Sequence, residues 1–278
     1  MHPAADSIGT TPPPEGGAEP DRPSRPPAAP PEEETADFGY RRIPAREKPG
    51  FVLGHFDAIA GKYDFMNTLL SLGLHRRWKR RAVEALKLAP GERVIDVCGG
   101  TGDLALLASR ALGPRGSVVL YDFSRAMIAA GSAKRRYSSR RAPIQAVQGD
   151  AEQLAFPEES FDAAMVGFGI RNLTHMDQGL TEMHRVLKPG GRLMCLEFSL
   201  PLSDAFRRLY DFYSFRLMPL AGLLLAGNRA AYLHLPESIR RFPPPEKVAG
   251  LLSRIGFAGV TYRRLMNGIV VLYGGVKR

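Results

Sequence analysis

From residue 93 onward, short apolar runs alternate with amphipathic stretches. The runs at 93–98, 117–122, 144–148, 161–167 and 191–199 have the length of buried strands, and the segments between them carry helical spacing. Such alternation predicts an α/β fold with a doubly wound, Rossmann-like and mostly parallel sheet. Helices are expected ahead of the sheet at 51–67 and 78–86, and near the end at 246–255. Two last apolar runs, 259–265 and 269–276, are joined by Met266-Asn267-Gly268, and an Asn-Gly pair suits a hairpin turn. Residues 200–245 fit neither period and are expected to form an inserted helical cap over the site.

The first forty residues break this pattern. They hold ten of the 23 prolines and eight acids against two arginines, a net charge near −6. Such a segment buries too little apolar surface to offset its ordering entropy, so residues 1–45 are read as a disordered tail and 46–278 as one domain. Because the whole chain is +10, the rest is near +16 and favours anionic partners. A nucleic-acid binder is one such reading, but no recognition module is visible. Cys98 and Cys195 fall in predicted strands and read as reduced core residues, which points to a cytoplasmic protein. There is no secretory apolar segment, and the longest apolar stretch, 217–226, is too short to span a bilayer.

The chemistry concentrates where the first strand ends, at Asp96-Val97-Cys98-Gly99-Gly100-Thr101-Gly102-Asp103. A strand that breaks into a glycine turn and then a helix brings backbone N–H groups beside a ligand with no Cβ in the way. Asp122 ends the second strand, where a doubly wound sheet holds a ribose; its alternative role is a helix cap, with Ser124 as rival. Asp150, after the third strand, can cap an adenine edge. The turn also fits a weak dinucleotide fingerprint, so a nicotinamide oxidoreductase is a competing reading. Asp96 and Asp103 argue against it, since a diphosphate avoids carboxylates that the sulfonium and amino group of S-adenosylmethionine would welcome.

Other segments narrow the reading. Residues 63–78 begin Tyr63-Asp64-Phe65-Met66-Asn67 and end His75-Arg76-Arg77-Trp78. Leu187-Lys188-Pro189-Gly190-Gly191 leads to Leu196-Glu197-Phe198-Ser199. Phe168-Gly169-Ile170-Arg171-Asn172 and Leu235-Pro236-Glu237-Ser238-Ile239-Arg240-Arg241-Phe242-Pro243 complete the set. Over about residues 51–278 the chain resembles the menaquinone and ubiquinone C-methyltransferase family, within the class I S-adenosylmethionine-dependent methyltransferases. The glycine turn and Lys-Pro-Gly-Gly are common to many methyltransferases; the first and last motifs are long and specific.

The resemblance implies an antiparallel C-terminal strand, S-adenosylmethionine as cofactor, and C-methylation of a polyprenyl quinol. Demethylmenaquinol is the expected substrate, with the benzoquinol of ubiquinone synthesis or another small molecule as alternatives. It makes Asp96, Gly99, Thr101 and Gly102 of the turn cofactor contacts, together with Asp122, Asp150 and Ala151. Gly167 stands where the family commonly has Ser, so its contact would be through backbone only.

Arg171 and Asn172 follow the fourth strand on the acceptor side. Arg171 can stabilise a phenolate; its plainer role is a salt bridge to a nearby acid. Tyr63 either meets a substrate oxygen or packs with Phe65. His75 and His184 lack further ligands at metal spacing, so no metal is expected. Trp78 among five cations suits an anchor on anionic lipid at the inner face of the cell membrane, and 217–226 suits the opening for a prenyl tail. Association of copies of the chain is left open.

Overall fold

The computed structural model describes residues 33–135 and 139–278. A short antiparallel hairpin, β1 (Thr35–Phe38) and β2 (Arg41–Pro44), comes first, followed by three helices, α1 (Lys48–Ile59), α2 (Tyr63–Leu70) and α3 (Leu74–Ala85). The single helix expected at 51–67 is thus two, separated by a 3-10 turn at Ala60–Lys62. The main sheet alternates strands and helices: β3 (Arg93–Val97), α4 (Asp103–Leu112), β4 (Ser117–Asp122), α5 (Arg125–Ala130), β5 (Ile144–Gln148), β6 (Phe161–Gly167), α6 (Met176–Val186) and β7 (Leu187–Phe198). Past a helical insertion come α10 (Pro245–Ile255), β8 (Phe257–Leu265) and β9 (Val270–Lys277). The insertion itself contains α7 (Asp204–Phe212), α8 (Met218–Ala221) and α9 (Arg229–Arg241).

Strand order is β5-β4-β3-β6-β7-β9-β8. The first five run parallel; β9 pairs antiparallel with both β7 and β8. Central strands are apolar on both faces because helices cover both. On one side Ile95, Val97, Ala164 and Val166 pack with Leu180 and Met183 of α6 and Val248 and Leu252 of α10. On the other, Val94, Leu120 and Met165 pack with Trp78, Ala82 and Val83 of α3 and Ala105 and Ala108 of α4. This arrangement aims the carboxyl ends of β3, β4 and β6 at one crevice, where ligands bind in such sheets.

The expected tail runs too far. Residues 35–44 are folded: Phe38 stacks on His234 of α9 at 4.0 Å between ring centroids, Tyr40 N–H donates to Glu237, and Ile43 is buried. Two apolar side chains and one backbone hydrogen bond within ten residues suffice when a partner surface receives them, which composition averaged over the segment hides. Residues 1–32 lie outside the described residues.

Trp78 is not a lipid anchor. Its helix turns it inward, where it is 5% exposed, while Arg76, Arg77, Arg80 and Arg81 hold the exposed face of α3. Helix also occupies most of 204–241, with π-helical segments at Tyr213–Leu217 and Gly222–Ala226 on either side of α8. Each π turn shifts the side-chain register, so no single 3.6-residue period survives across the insertion. No described helix is long and apolar enough to cross a membrane.

Candidate active site

The glycine turn after β3 is held by backbone and by Asp122. Cys98, Gly100 and Gly102 all have positive φ, of 53°, 54° and 86°. A Cβ on Gly99 would stand 2.6 Å from Leu120 Cδ1, so only glycine lets the turn lie against β4. Asp122 accepts from Gly100 N–H (2.7 Å) with one oxygen and from Ser124 N–H (2.8 Å) with the other. The helix-capping role falls to Ser124, whose hydroxyl accepts from Met127 N–H. Burial pushes the pKa of Asp122 up, although both amide donors pull it down. A carboxylate has about four acceptor positions, so two remain for a diol.

Around this turn opens a cleft of about 810 Å³, its mouth included. Asp122, Asp150, Ala151 and Gly167 line it, with Gly100, Phe123, Met127, Glu152, Phe56 and Leu173. Ser124 and Asp150 edge the same wall; Asp150 accepts from Glu152 N–H at 2.8 Å. Glu152 accepts from the backbone of Thr174 and His175 and so fastens the loop after β6 to the cleft.

Asp96, Gly99, Thr101 and Gly102 do not line it; they build the back of the turn. The Thr101 hydroxyl donates to Asp64 (2.6 Å) and accepts from Lys134 (2.9 Å). Lys134 also pairs with Asp64 and with Asp103, each at 2.6 Å, and buried Lys79 pairs with Asp103 at 2.8 Å. This network ties α2 to the glycine turn.

Asp96 and Asp103 therefore do not supply the negative charge expected of them at the cofactor. Burial alone would raise Asp103, but Lys79 and Lys134 outweigh it and hold the carboxyl well below the usual range. Its charge is spent on two lysines. Asp96 is fully buried, accepts from Ala105 N–H at 2.8 Å, and is pushed up to about 8 by burial, so it is protonated at neutral pH. The acids that face the cleft are Asp122, Asp150 and Glu152, and no Lys or Arg lines it among the described residues. In a chain of net charge +10 that is a selective exclusion of cations from one wall. Acceptors on one side and Phe123, Met127, Ala151 and Leu173 on the other fit an adenosine bearing a cationic group. They do not fit a diphosphate.

A second cavity, about 1,870 Å³ with its mouth, adjoins the first. Phe198, Phe206, Tyr210, Tyr213, Leu235 and Trp78 form its walls, and Phe56, Tyr63, Phe168 and Asn172 line both cavities. Tyr63 and Asn172 thus stand at the seam. Arg171 lines the second cavity, and its plainer role is present: Nη1 donates to Glu197 (2.7 Å) and to the Phe168 carbonyl. The pair is buried, with Arg171 side chain 8% and Glu197 0% exposed.

Sequence reasoning missed Phe56, Phe123, Glu152, Glu197 and the two cavity imidazoles of His55 and His234. Phe123 and Glu152 were legible as the neighbours of Asp122 and Ala151; the others are brought in by elements distant along the chain. His75 accepts or donates at Thr68 Oγ1, and His184 packs edge-on against Phe257. No group of three or more metal-ligating side chains occurs among the described residues.

A model of the ubiE/COQ5 methyltransferase family matches residues 45–277. The ubiquinone/menaquinone biosynthesis C-methyltransferase UbiE of Methylococcus capsulatus is 44% identical over 245 residues, 88% of this chain and 99% of that protein. The same-named protein of Pseudomonas putida is 44% identical over 88% of this chain and 96% of its own length. Among solved structures, an S-adenosylmethionine-dependent methyltransferase from Thermotoga maritima superposes with a TM-score of 0.57 at 18% identity, covering 82% of this chain and all of that one. The [4+2]-cyclase SpnF superposes at 0.53 and 18% identity over 81% and 94%, so the fold by itself does not fix the reaction. The family model and the full-length relatives do fix the class: the chain belongs to the ubiE/COQ5 methyltransferase family and is an S-adenosylmethionine-dependent methyltransferase.

Proposed function

We propose that this enzyme methylates a ring carbon of a reduced polyprenyl quinone, with demethylmenaquinol as its substrate. The observation that carries the reading is the seam: an acid-lined cleft, with no Lys or Arg in it among the described residues, and a large aromatic cavity share Tyr63, Asn172, Phe56 and Phe168. The relatives' names supply the substrate class, and the flat aromatic walls suit a two-ring head.

S-adenosylmethionine, when bound, supplies an electrophilic methyl on a sulfonium. Asp122 would hold its ribose, Asp150 and Ala151 its adenine, and the glycine turn its amino-acid end. The chain's remaining task is to bring a nucleophilic carbon to about 3–3.5 Å and to exclude water. Tyr63 and Asn172 border the meeting point and offer hydrogen bonds to ring oxygens. Arg171 Nη2 makes no hydrogen bond among the described residues, and Arg171 is the cation that would steady a phenolate, while Glu197 fixes its pose.

The cavity opens onto an apolar surface. Leu72, Leu209 and Phe212 line it and are exposed, and exposed Leu220, Leu223 and Leu224 continue the surface. Exposed Arg208 shares α7 with Leu209 and Phe212, and exposed Arg76, Arg77, Arg216 and Arg229 follow or precede these apolar residues closely along the chain. This face is our proposed contact with an anionic bilayer, from which a prenyl tail would enter. Converting Leu223 and Leu224 together to Glu should abolish flotation with phosphatidylglycerol vesicles and leave turnover of a short-chain quinol in detergent unaltered. Undiminished flotation would remove this face from the account.

The function itself is tested with purified enzyme and chemically reduced short-chain substrates. A mass gain of one methyl on demethylmenaquinol is expected, faster than on the corresponding benzoquinol. Preference for the benzoquinol would move the enzyme to ubiquinone synthesis, and no product from either would refute the reading.

A further inference from the structure

Two imidazoles stand in the apolar cavity. His55 of α1 and His234 of α9 both line it, with Arg171 and Asn172. Their rings meet at a steep angle with centroids 4.9 Å apart. His55 also lies edge-on to Phe56 at 5.1 Å, and His234 is stacked on Phe38. Neither ring makes a hydrogen bond among the described residues, and no nitrogen of either is fully buried without a partner. A ring kept only for packing would be served by Phe, which carries no polar atom to desolvate. The groups facing the pair are cations and neutral hydroxyls: Arg171, Lys48 near His234, and Tyr63, Tyr210 and Tyr232 in the wall. Two acids lie on the outer side: Glu237, which accepts from Tyr40 N–H, and Asp37, which lines a third cavity with His234, Lys48 and Arg171.

We propose that His55, positioned by His234, is the proton acceptor for the ring hydroxyl of the quinol, an assignment that rests on the function proposed above. Burial lowers His55 to about 4, with the Arg171 charge adding to the effect, and lowers His234 to about 3. Both rings are therefore neutral acceptors at physiological pH. The hydroxyl proton passes to an imidazole nitrogen, and the oxygen's electron pair becomes available at the neighbouring ring carbon. An imidazolium beside Arg171 is unfavourable alone; a phenolate between them makes it favourable, which couples proton transfer to the presence of substrate. After methylation the ring carbon loses its own proton to water, and the imidazolium returns its proton to the oxygen. In the balance a ring C–H becomes C–CH₃, the sulfonium becomes a thioether, and one proton is released.

The test uses the full chain, reduced short-chain demethylmenaquinol and S-adenosylmethionine, with pH–rate profiles from 6 to 9. His55→Gln should lower kcat by about 100-fold, within the usual range for a general base, with S-adenosylhomocysteine affinity unchanged. Its residual rate should climb about tenfold per pH unit toward the phenol's own pKa near 10, where the unmodified enzyme is flat. His55→Ala should regain turnover, saturably, with added imidazole. His234→Phe should lower kcat without creating that slope. Identical pH profiles for the unmodified enzyme and His55→Gln would overturn the assignment. So would a folded His55→Ala that binds S-adenosylhomocysteine but is not rescued. If the unmodified enzyme itself makes no methylated quinol, the proposed function fails first, and that arm identifies it.

Discussion

Replacing Asp122 with alanine will weaken S-adenosylhomocysteine binding by about two to three orders of magnitude. The carboxylate sits at the tip of β4 and does two things at once. It pins the glycine turn through Gly100 N–H and Ser124 N–H, and it offers its remaining acceptor positions to a diol. Hydrogen bonds to a charged acceptor contribute about 1.5–3 kcal/mol each. At the lower end of that range, losing two removes about 3–4 kcal/mol, or roughly 10²–10³ in affinity. Asp122→Asn keeps an acceptor oxygen and should lose less. Unchanged affinity in calorimetry for a folded Asp122→Ala protein would take the ribose role away from this residue.

The second large effect is on stability. Glu197→Ala will leave Arg171 as a buried, uncompensated guanidinium, and will also remove the acceptor for Phe198 N–H. Breaking such a pair from one side costs about 3–5 kcal/mol. For a domain of this size that corresponds to a fall in Tm of roughly 6–20 °C. Arg171→Met combined with Glu197→Ala should recover most of that loss, because no charge is then stranded, yet its turnover should stay low. A double variant as unstable as Glu197→Ala alone would show that the pair is not what holds the β6–β7 crevice together. Recovered turnover would show that Arg171 has no part in the chemistry.

The sequence made legible what depends on neighbours along the chain. The glycine turn could be placed because strand, turn and helix follow one another between residues 93 and 112. Asp122 could be placed because it ends an apolar run. The parallel order followed from alternation, and the antiparallel C-terminal strand from the family resemblance. What stayed hidden depends on partners far apart. Asp103 looked like a free carboxylate because nothing local marks Lys79 and Lys134 as its partners. Asp96 looked charged because a sequence does not display full burial. Trp78 among arginines read as a surface anchor, whereas helix geometry puts it one turn face away from them and into the core. The hairpin at 35–44 was masked by proline-rich surroundings; the insertion was expected to be helical, but its π turns hid where each helix begins and ends. His55 and His234 are 179 residues apart (234 − 55) and carry no motif; only the fold makes them a pair.

One observation underlies the whole account: in a strongly basic protein no Lys or Arg among the described residues lines the wall of one cleft, and Asp122, Asp150 and Glu152 stand there. Calorimetric titration of the purified chain with S-adenosylhomocysteine and, separately, with NAD measures this directly. The account predicts saturable one-to-one binding of S-adenosylhomocysteine, displaced by S-adenosylmethionine and lost in Asp122→Ala, with no heat from NAD. Saturable NAD binding that S-adenosylhomocysteine does not displace would contradict it.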